Sequence, residues 1–508
     1  MTELVDDIVW NIFGQLWVGN AKNLSETCVR YRNVFLKLAI TKFKCKYDGS
    51  ADNELFCSKF LGIRTAYNFN RASKLGTMIR CTSLYFEDKF NSLVELPSTL
   101  KIVEFGNDYN QPTKFPSSVE NIIFGRAYNQ RTKFPSSVKT ISFRLNYNQI
   151  TKIPPSVENI TFGAYYNKST KFPDSVKNII FGEGYDKFTK LPPFVTHVVF
   201  GDEYYKPTIL PDSIKYLEFG DDYNFPTVFP KSIMNLKFGY YYNQITVLFS
   251  SVTRLKFGNN YNRAITFPNS IEKLTFGDNY NQLTILPNSV KYLRFGREFN
   301  QEITIPESII SLRFGDEYNH QTVVPNGIRY LFFGEKFNRE IIIPESIISL
   351  SFGDEYNQPI ILHNSLECLR FGKKFNQEII IPASIMYLLF DRCSEYTHRI
   401  ILPDGIKSIT LGDLYDHPTI IPASVQCFYV GDNCVVDKES YITSETFRKF
   451  TILEDEEWLD KIRVEFSDCD SDSDSNPQTN PDPTLMPIPI SIPDPNHDSD
   501  LNPVEVIN

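Results

Sequence analysis

The stretch PNSIEKLTFGDNYNQLTI, residues 268–285, decides the fold of this chain, because close variants of it recur every nineteen residues. Its phenylalanine belongs to an unbroken series of seventeen at that spacing, from Phe86 to Phe390. After a two-residue insertion, two further turns centre on Leu411 and Val430. A fixed period of about twenty residues is typical of a solenoid, in which each repeat contacts only its neighbours.

Positions within a turn are numbered here from this phenylalanine as zero. Apolar residues recur at −5, −2 and 0, and the last two alternate as the residues of a strand do. Of the 17 strict turns, 14 have Gly at +1, 16 have Tyr or Phe at +4, and 14 have Pro at −8. Because Pro removes a backbone donor and favours extended chain, it belongs outside the strands. Each turn is therefore predicted to hold one strand, one bend and one extended return on a convex back.

Asparagine stands at +5 in 14 of these turns. Its side-chain amide both donates and accepts, so stacked Asn side chains are predicted to satisfy the backbone groups of a tight, buried bend. The pattern departs from Asn at Asp186, Tyr205 and Glu395, and we expect local irregularity there.

The repeat also carries a family resemblance. The segment Phe375-Asn376-Gln377-Glu378-Ile379, and its counterparts behind Ser-Val/Ile-x-x-Leu-x-Phe-Gly, resemble the FNIP repeats of social amoebae and giant viruses. The spacing is similar to that of the shortest leucine-rich repeats. The resemblance covers residues 78–432 and implies a leucine-rich-repeat-like parallel β solenoid of about nineteen turns of 19 residues. A parallel β-helix, a fold that can host polysaccharide-cleaving enzymes, is the alternative. It needs several strands per turn, for which a Pro in nearly every turn leaves little room.

Residues 1–45 do not follow the repeat and predict two short amphipathic helices. They resemble an F-box, with Leu4-Val-Asp-Asp-Ile8 at its opening and Thr27-Cys-Val-Arg-Tyr31-Arg32 at its close, although Val5 stands where the family has Pro. The resemblance implies docking to a Skp1-type adaptor and, through it, a cullin. The residues implied in that contact are Leu4, Ile8, Ile12, Leu16, Leu24, Cys28 and Tyr31. Alternatively, these helices only cap the first turn of the solenoid, because an uncovered end strand is a pairing hazard.

The remaining segments are predicted to be a linker or N-terminal cap at 46–77, a C-terminal cap at 433–466 and a disordered acidic tail at 467–508. The tail, rich in Pro, Ser and Asp, holds nine acidic residues and no Lys or Arg, whereas residues 1–466 contain 52 acids and 52 bases. A neutral body argues against a nucleic-acid partner. Nine scattered Cys, no signal-type segment and no long apolar stretch indicate an intracellular, cytoplasmic protein that is not in a membrane.

A binding surface is predicted on the concave face, where leucine-rich-repeat geometry turns positions −4, −3 and −1 outward. From Lys237 to Arg370 the −1 row is largely basic. The candidate target-binding residues are Lys237, Arg254, Lys256, Lys273, Tyr292, Arg294 and Arg313. Two alternatives stay open. Acids at +2 (Asp278, Asp316, Glu335 and Asp354) can neutralise these bases, or the site lies in the apolar first half around Ile123, Ile180 and Val199.

These observations predict a binding protein rather than an enzyme. No Ser/His/Asp set, phosphate loop, Cys/His pair or metal-ligand spacing is present, so we expect no catalytic residue, no metal and no cofactor. The F-box resemblance implies the substrate-recognition subunit of a cullin-RING ubiquitin ligase, which binds a target protein on its solenoid. The alternative is a stand-alone interaction scaffold without a ubiquitin link.

Overall fold

The computed structural model describes residues 82–86 and 88–429, and these residues form one parallel sheet of nineteen strands. Each strand covers positions −3 to −1 of a turn, and the strands Cys368–Phe371 and Tyr387–Phe390 extend to position 0. Each strand pairs with the strand of the next turn, as Lys273 does with Tyr292. The strands are β1 Ser83–Tyr85, β2 Ile102–Glu104, β3 Asn121–Ile123, β4 Thr140–Ser142, β5 Asn159–Thr161, β6 Asn178–Ile180, β7 His197–Val199, β8 Tyr216–Glu218, β9 Asn235–Lys237, β10 Arg254–Lys256, β11 Lys273–Thr275, β12 Tyr292–Arg294, β13 Ser311–Arg313, β14 Tyr330–Phe332, β15 Ser349–Ser351, β16 Cys368–Phe371, β17 Tyr387–Phe390, β18 Ser408–Thr410 and β19 Cys427–Tyr429.

This architecture confirms the predicted parallel β solenoid with a nineteen-residue period. Each turn has one strand, whereas a β-helix needs several, and the part of the chain that the structure describes contains no helix. The prolines lie outside the sheet, as expected: the Pro268 carbonyl accepts a hydrogen bond from the Ile271 amide (3.3 Å) in a turn that leads into β11. The predicted segments at 1–45, 46–77, 433–466 and 467–508 lie outside the described residues.

The core consists of two stacked aromatic rows behind the sheet. In one turn the rings of Phe276 and Tyr280 lie 3.9 Å apart, centroid to centroid. Between turns, Phe276 lies 5.3 Å from Phe295, and Tyr280 lies 6.2 Å from Phe299. Apolar residues at −5 and −2 complete the core. Because every ring packs on the same position of the next turn, the aromatic pattern itself enforces the period.

The glycine at +1 is required by the close approach of successive turns. A Cβ placed on Gly277 would lie 2.1 Å from the carbonyl oxygen of Gly258, far inside van der Waals contact. A residue without Cβ at +1 therefore allows the neighbouring turn to pack this closely.

The asparagine ladder exists, but the prediction that it is buried is wrong. The Oδ1 atom of Asn281 accepts hydrogen bonds from the backbone amide of Asn300 and from the side-chain amide of Gln301, both at 3.0 Å. Asn281 is only half-buried and Asn300 is exposed, because the ring at +4 fills the interior and the next residue points outward. The ladder also passes through Asp186, whose carboxylate accepts from the Tyr205 amide at 3.1 Å, so the expected irregularity is absent at that position.

The two-residue insertion near the end of the solenoid lies within the bend of one turn and does not interrupt the stack of turns. Tyr396 takes the +4 place and stacks 6.0 Å from Phe375. The amide of Thr397 then donates to Asn376 at 3.0 Å, across 21 residues instead of nineteen. The expected irregularity at Glu395 is therefore present, and it leaves the stack of turns intact.

A polar row that sequence reasoning missed joins the bend to the return segment. Where Tyr stands at +4, its hydroxyl generally hydrogen-bonds the Thr hydroxyl at +8, as between Tyr280 and Thr284 at 2.8 Å. Phe299, Phe337 and Phe375, which have no hydroxyl, are followed at +8 by Ile. The other Tyr–Thr pairs are 109–113, 128–132, 147–151, 166–170, 185–189, 204–208, 223–227, 242–246, 318–322 and 415–419. This covariation within one chain was the available sequence signal.

Candidate protein-binding surface

The face of the sheet that turns away from the core presents the −3 and −1 side chains of every strand. In β11 the middle residue Leu274 is buried, while Lys273 and Thr275 are partly exposed on either side of it. The structure places all seven candidate target-binding residues on this face, in the five consecutive strands β9 to β13. We call this set the basic sheet patch.

Strand register brings members of the basic sheet patch directly opposite one another. Arg294 of β12 is paired in register with Arg313 of β13, and both side chains are exposed. Lys256 of β10 is paired with Lys237 of β9. Directly opposite residues in a sheet have Cβ atoms about 4.5–5.5 Å apart, where like charges are unfavourable unless opposite charge is close.

At the β9 edge of the patch, the chain supplies that opposite charge itself. Lys237 Nζ lies 2.7 Å from Glu218 Oε1, and both side chains are about a quarter exposed. The Tyr216 hydroxyl donates to the same carboxylate at 2.9 Å and holds it in place. The self-neutralised alternative therefore applies to Lys237, with a partner at −1 of the preceding turn rather than at +2.

Two of the four acids at +2 form ion pairs within their own row. Asp354 lies 2.6 Å from Lys373, and Asp316 lies 3.9 Å from Arg297. Lys373 and Arg297 also occupy +2, one turn away from their partners. These contacts stabilise the edge at the ends of the strands, and they draw the Asp354 and Asp316 carboxylates toward bases other than those of the sheet patch.

An open groove of about 480 Å³, which the sequence did not predict, runs along the strand ends from β5 to β10. At one end it is lined by the +2 acids Glu183, Asp202 and Asp221, and at the other by Lys237 and Lys256. Partial burial, and then the neighbouring Asp221, raise the pKa of Asp202 above its usual range. The sequence signal for this groove was an acid at +2 in three successive turns. Its meaning became clear only when the structure showed that these three turns stack side by side.

The apolar residues of the first half also share the sheet face. Ile180 of β6 lies opposite Val199 of β7 and is 43 % exposed, whereas Ile123 belongs to β3, three strands away. The structure therefore joins two of the three into one small apolar patch. The seven residues proposed for the N-terminal partner, Leu4, Ile8, Ile12, Leu16, Leu24, Cys28 and Tyr31, lie outside the described residues.

Comparison with protein families agrees with the repeat geometry. A family model described as FNIP Repeat matches residues 109–145, 147–184, 185–222, 205–241, 246–279, 261–298, 280–305, 299–336 and 337–374. Together these matches cover slightly more than half of the chain. A search of curated proteins found no match.

Two solved structures show the same architecture. One is described as "The crystal structure of CroV588 a novel circular LRR protein structure"; it is 29 % identical over 70 % of this chain and 71 % of that chain, with a TM-score of 0.54. The other is YopM from Yersinia enterocolitica WA-314, 14 % identical over 70 % of this chain and 91 % of that chain, also with a TM-score of 0.54. The second likeness concerns the fold alone. A repeat solenoid of this kind, with a long exposed sheet face, is suited to protein–protein interaction.

Proposed function

Because this chain belongs to the FNIP repeat family, we propose that it is a target-recognition protein whose solenoid binds an acidic segment of a partner protein on the basic sheet patch. The observation that carries this proposal is the register of Arg294 opposite Arg313 on adjacent strands, with both side chains exposed. Carboxylate or phosphate fits the planar guanidinium in a bidentate manner, so two exposed arginines side by side suit an anionic segment.

The basic sheet patch also contains an aromatic side chain. Tyr292 lies on β12 beside Lys273 of β11, so a ring stands next to a cation on the same row. Aromatic and arginine side chains are the residues that most often contribute strongly to protein interfaces. Exposed charges add association rate and specificity more than affinity, so the proposed contact depends on salt concentration.

For the N-terminal segment we propose the role that its F-box resemblance implies. Residues 1–45 would dock to a Skp1-type adaptor, and the solenoid would hold a target for a cullin-RING ubiquitin ligase inside the cell. The chain itself would catalyse no reaction. A stand-alone interaction scaffold is the second candidate, favoured by the limits of the family match, which begins at residue 109 and leaves residues 1–45 outside it.

Two variants of the full-length protein test the two halves of this proposal. Ile8→Asp with Leu16→Asp should abolish co-elution with a purified Skp1-type adaptor and leave the circular dichroism of the solenoid unchanged. Lys256→Glu with Arg294→Glu should weaken capture of target proteins from cell extract and leave adaptor binding intact. Capture should also fade as salt is raised, because exposed charges are screened over roughly 10 Å at 0.1 M.

The outcomes separate the candidates. Melting of the solenoid in the Ile8→Asp, Leu16→Asp variant would identify residues 1–45 as a cap and remove the ligase role. If the parent protein captures target proteins but does not bind the adaptor, the stand-alone interaction scaffold is favoured. Target capture that ignores both salt and the charge reversal would move the site to the apolar patch of Ile180 and Val199.

A further inference from the structure

A second basic feature lies on the return segment, away from the sheet face. Position +9 carries a lysine in five consecutive turns: Lys114, Lys133, Lys152, Lys171 and Lys190. All five are exposed, and within residues 82–86 and 88–429 none of them forms an ion pair. We call this set the lysine row. The neighbouring positions +8 and +10 point into the core, so +9 points away from it, as Lys133 does between the partly buried Thr132 and the buried Phe134.

The spacing of the row follows from the adjacent core residues. The rings of Phe115 and Phe134, each next to a lysine of the row, have centroids 6.1 Å apart. Four such intervals place five positive charges along about 24 Å of one edge. Stacked like charges at this distance oppose folding in the absence of counter-charge.

The same five turns show that the chain has another way to arrange charges. Their −4 positions alternate in sign along the sheet edge: Lys101, Glu120, Lys139, Glu158 and Lys177. Glu120 lies 3.3 Å from Lys101 and 3.1 Å from Lys139, and Glu158 lies 2.8 Å from Lys177. The paired lysines, Lys139 first, lower the pKa of Glu120. Alternating charges stabilise the −4 row, whereas the lysine row of the same turns carries charges of one sign.

The row also has a sharp end. After Lys190 the +9 position becomes apolar, with Ile209 80 % exposed and Val228 88 % exposed. A general need for solubility would not confine the lysines to five turns and leave apolar residues exposed in the next ones. The confinement indicates a site of defined length.

We propose that the lysine row binds an extended segment of a partner protein that carries acidic residues at alternate positions. Two residues of an extended chain span about 6.6 Å, which matches the 6.1 Å between successive turns. About nine residues running across the turns would place an acidic group near each of the five lysines. A nucleic-acid strand is disfavoured by the neutral charge balance of residues 1–466, which contain 52 acids and 52 bases, and by the alternating row in the same turns.

The test uses the full-length protein and a fluorescein-labelled peptide of alternating Ser and Asp, with fluorescence anisotropy as the readout. Lys133→Glu with Lys152→Glu should weaken binding at least about tenfold, and the parent affinity should fall with added salt. Lys133→Arg with Lys152→Arg should retain binding, because the charge pattern is kept. Lys139→Glu with Lys177→Glu, which makes the same charge change in nearby turns of the alternating row, should retain most of it.

Other probes and variants decide the outcome. A peptide with phosphoserine in place of each Asp should bind through the same lysines, and the tighter of the two identifies carboxylate or phosphate as the natural group. Tighter binding of a thymidine oligonucleotide than of either peptide would overturn the proposal. The proposal would also be overturned if peptide binding survives the Lys133 and Lys152 reversal but is lost in the Lys256→Glu, Arg294→Glu variant. That result would assign all binding of acidic segments to the basic sheet patch, and the proposed function would stand.

Discussion

The hydroxyl of Tyr280 lies 2.8 Å from Oγ1 of Thr284, and this bond ties the aromatic row to the return segment of the same turn. Thr284 Oγ1 in turn lies 2.7 Å from the Gln282 carbonyl oxygen, so the buried hydroxyls form a short chain. The turn of Tyr356 lacks the arrangement, because Ile360 stands at +8 and the Tyr356 hydroxyl is buried without a hydrogen-bond partner.

The same substitution should therefore have different effects in these two turns. Tyr280→Phe should lower the free energy of unfolding by about 1 kcal/mol, because the Thr284 hydroxyl loses one of its two hydrogen bonds. Tyr356→Phe should leave it unchanged or raise it, because an unsatisfied polar group is removed; Phe375 with Ile379 shows that the chain accepts this pair. Urea denaturation followed by circular dichroism measures both, and equal losses would contradict the pairing argument.

The asparagine ladder can be tested at Asn281. Asn281→Ala removes the acceptor of the Asn300 amide and the Gln301 side chain, but water can reach this half-buried bend. We expect a loss of about 1 kcal/mol. Asn281→Asp keeps an acceptor, as Asp186 does, and should cost less. Phe276→Ala should cost about 3–5 kcal/mol by opening a cavity. An Asn281→Ala protein as stable as its parent would show that the ladder contributes nothing.

Substitution by alanine should destabilise the protein at Gly277 and be tolerated at Gly405. In Gly277→Ala the new Cβ would lie 2.1 Å from the Gly258 carbonyl oxygen, so two turns must separate. We expect a loss of about 3 kcal/mol. In Gly405→Ala the nearest atom is 3.9 Å away, the Ala383 oxygen, and stability should change by less than about 0.5 kcal/mol. Thermal unfolding of both variants provides the comparison, and a tolerated Gly277→Ala would contradict the close approach.

Alkaline pH should destabilise the solenoid through its buried tyrosines. Burial raises the pKa of Tyr280 to about 12, and burial has the same effect on Tyr109, Tyr147, Tyr204 and Tyr242. In the unfolded chain a phenol ionises near pH 10. The stability contributed by the neutral rings is therefore fully present below about pH 10 and is lost as the pH rises toward about 12.

The measurement is the urea midpoint as a function of pH, with tyrosinate absorbance recorded in parallel. The midpoint should fall above about pH 10, and ionisation should appear together with unfolding rather than before it. Tyrosines that ionise near pH 10 while the circular dichroism stays native would contradict the burial of this row.

The residues at −5, −2, 0 and +4 were sufficient to predict the architecture, because a solenoid makes each turn contact only its neighbours. A nineteen-residue period then fixes both the strand order and the register, as between Lys273 and Tyr292. The basic sheet patch was predictable for the same reason. Its ion pairs were not: Lys237 contacts Glu218, whereas the sequence suggested acids at +2.

The sequence by itself determined the period, the strand of each turn and which side chains share a row, because these depend only on spacing. Only the tertiary structure decided how the rows meet solvent and each other. It placed the Asn281 ladder at a half-buried edge and joined Tyr280 to Thr284. It also left the lysine row exposed while the alternating row of the same turns is paired. The physical reason is that burial and ion pairing depend on the distances between side chains of neighbouring turns. A repeat in the sequence specifies the order of the turns but not these distances.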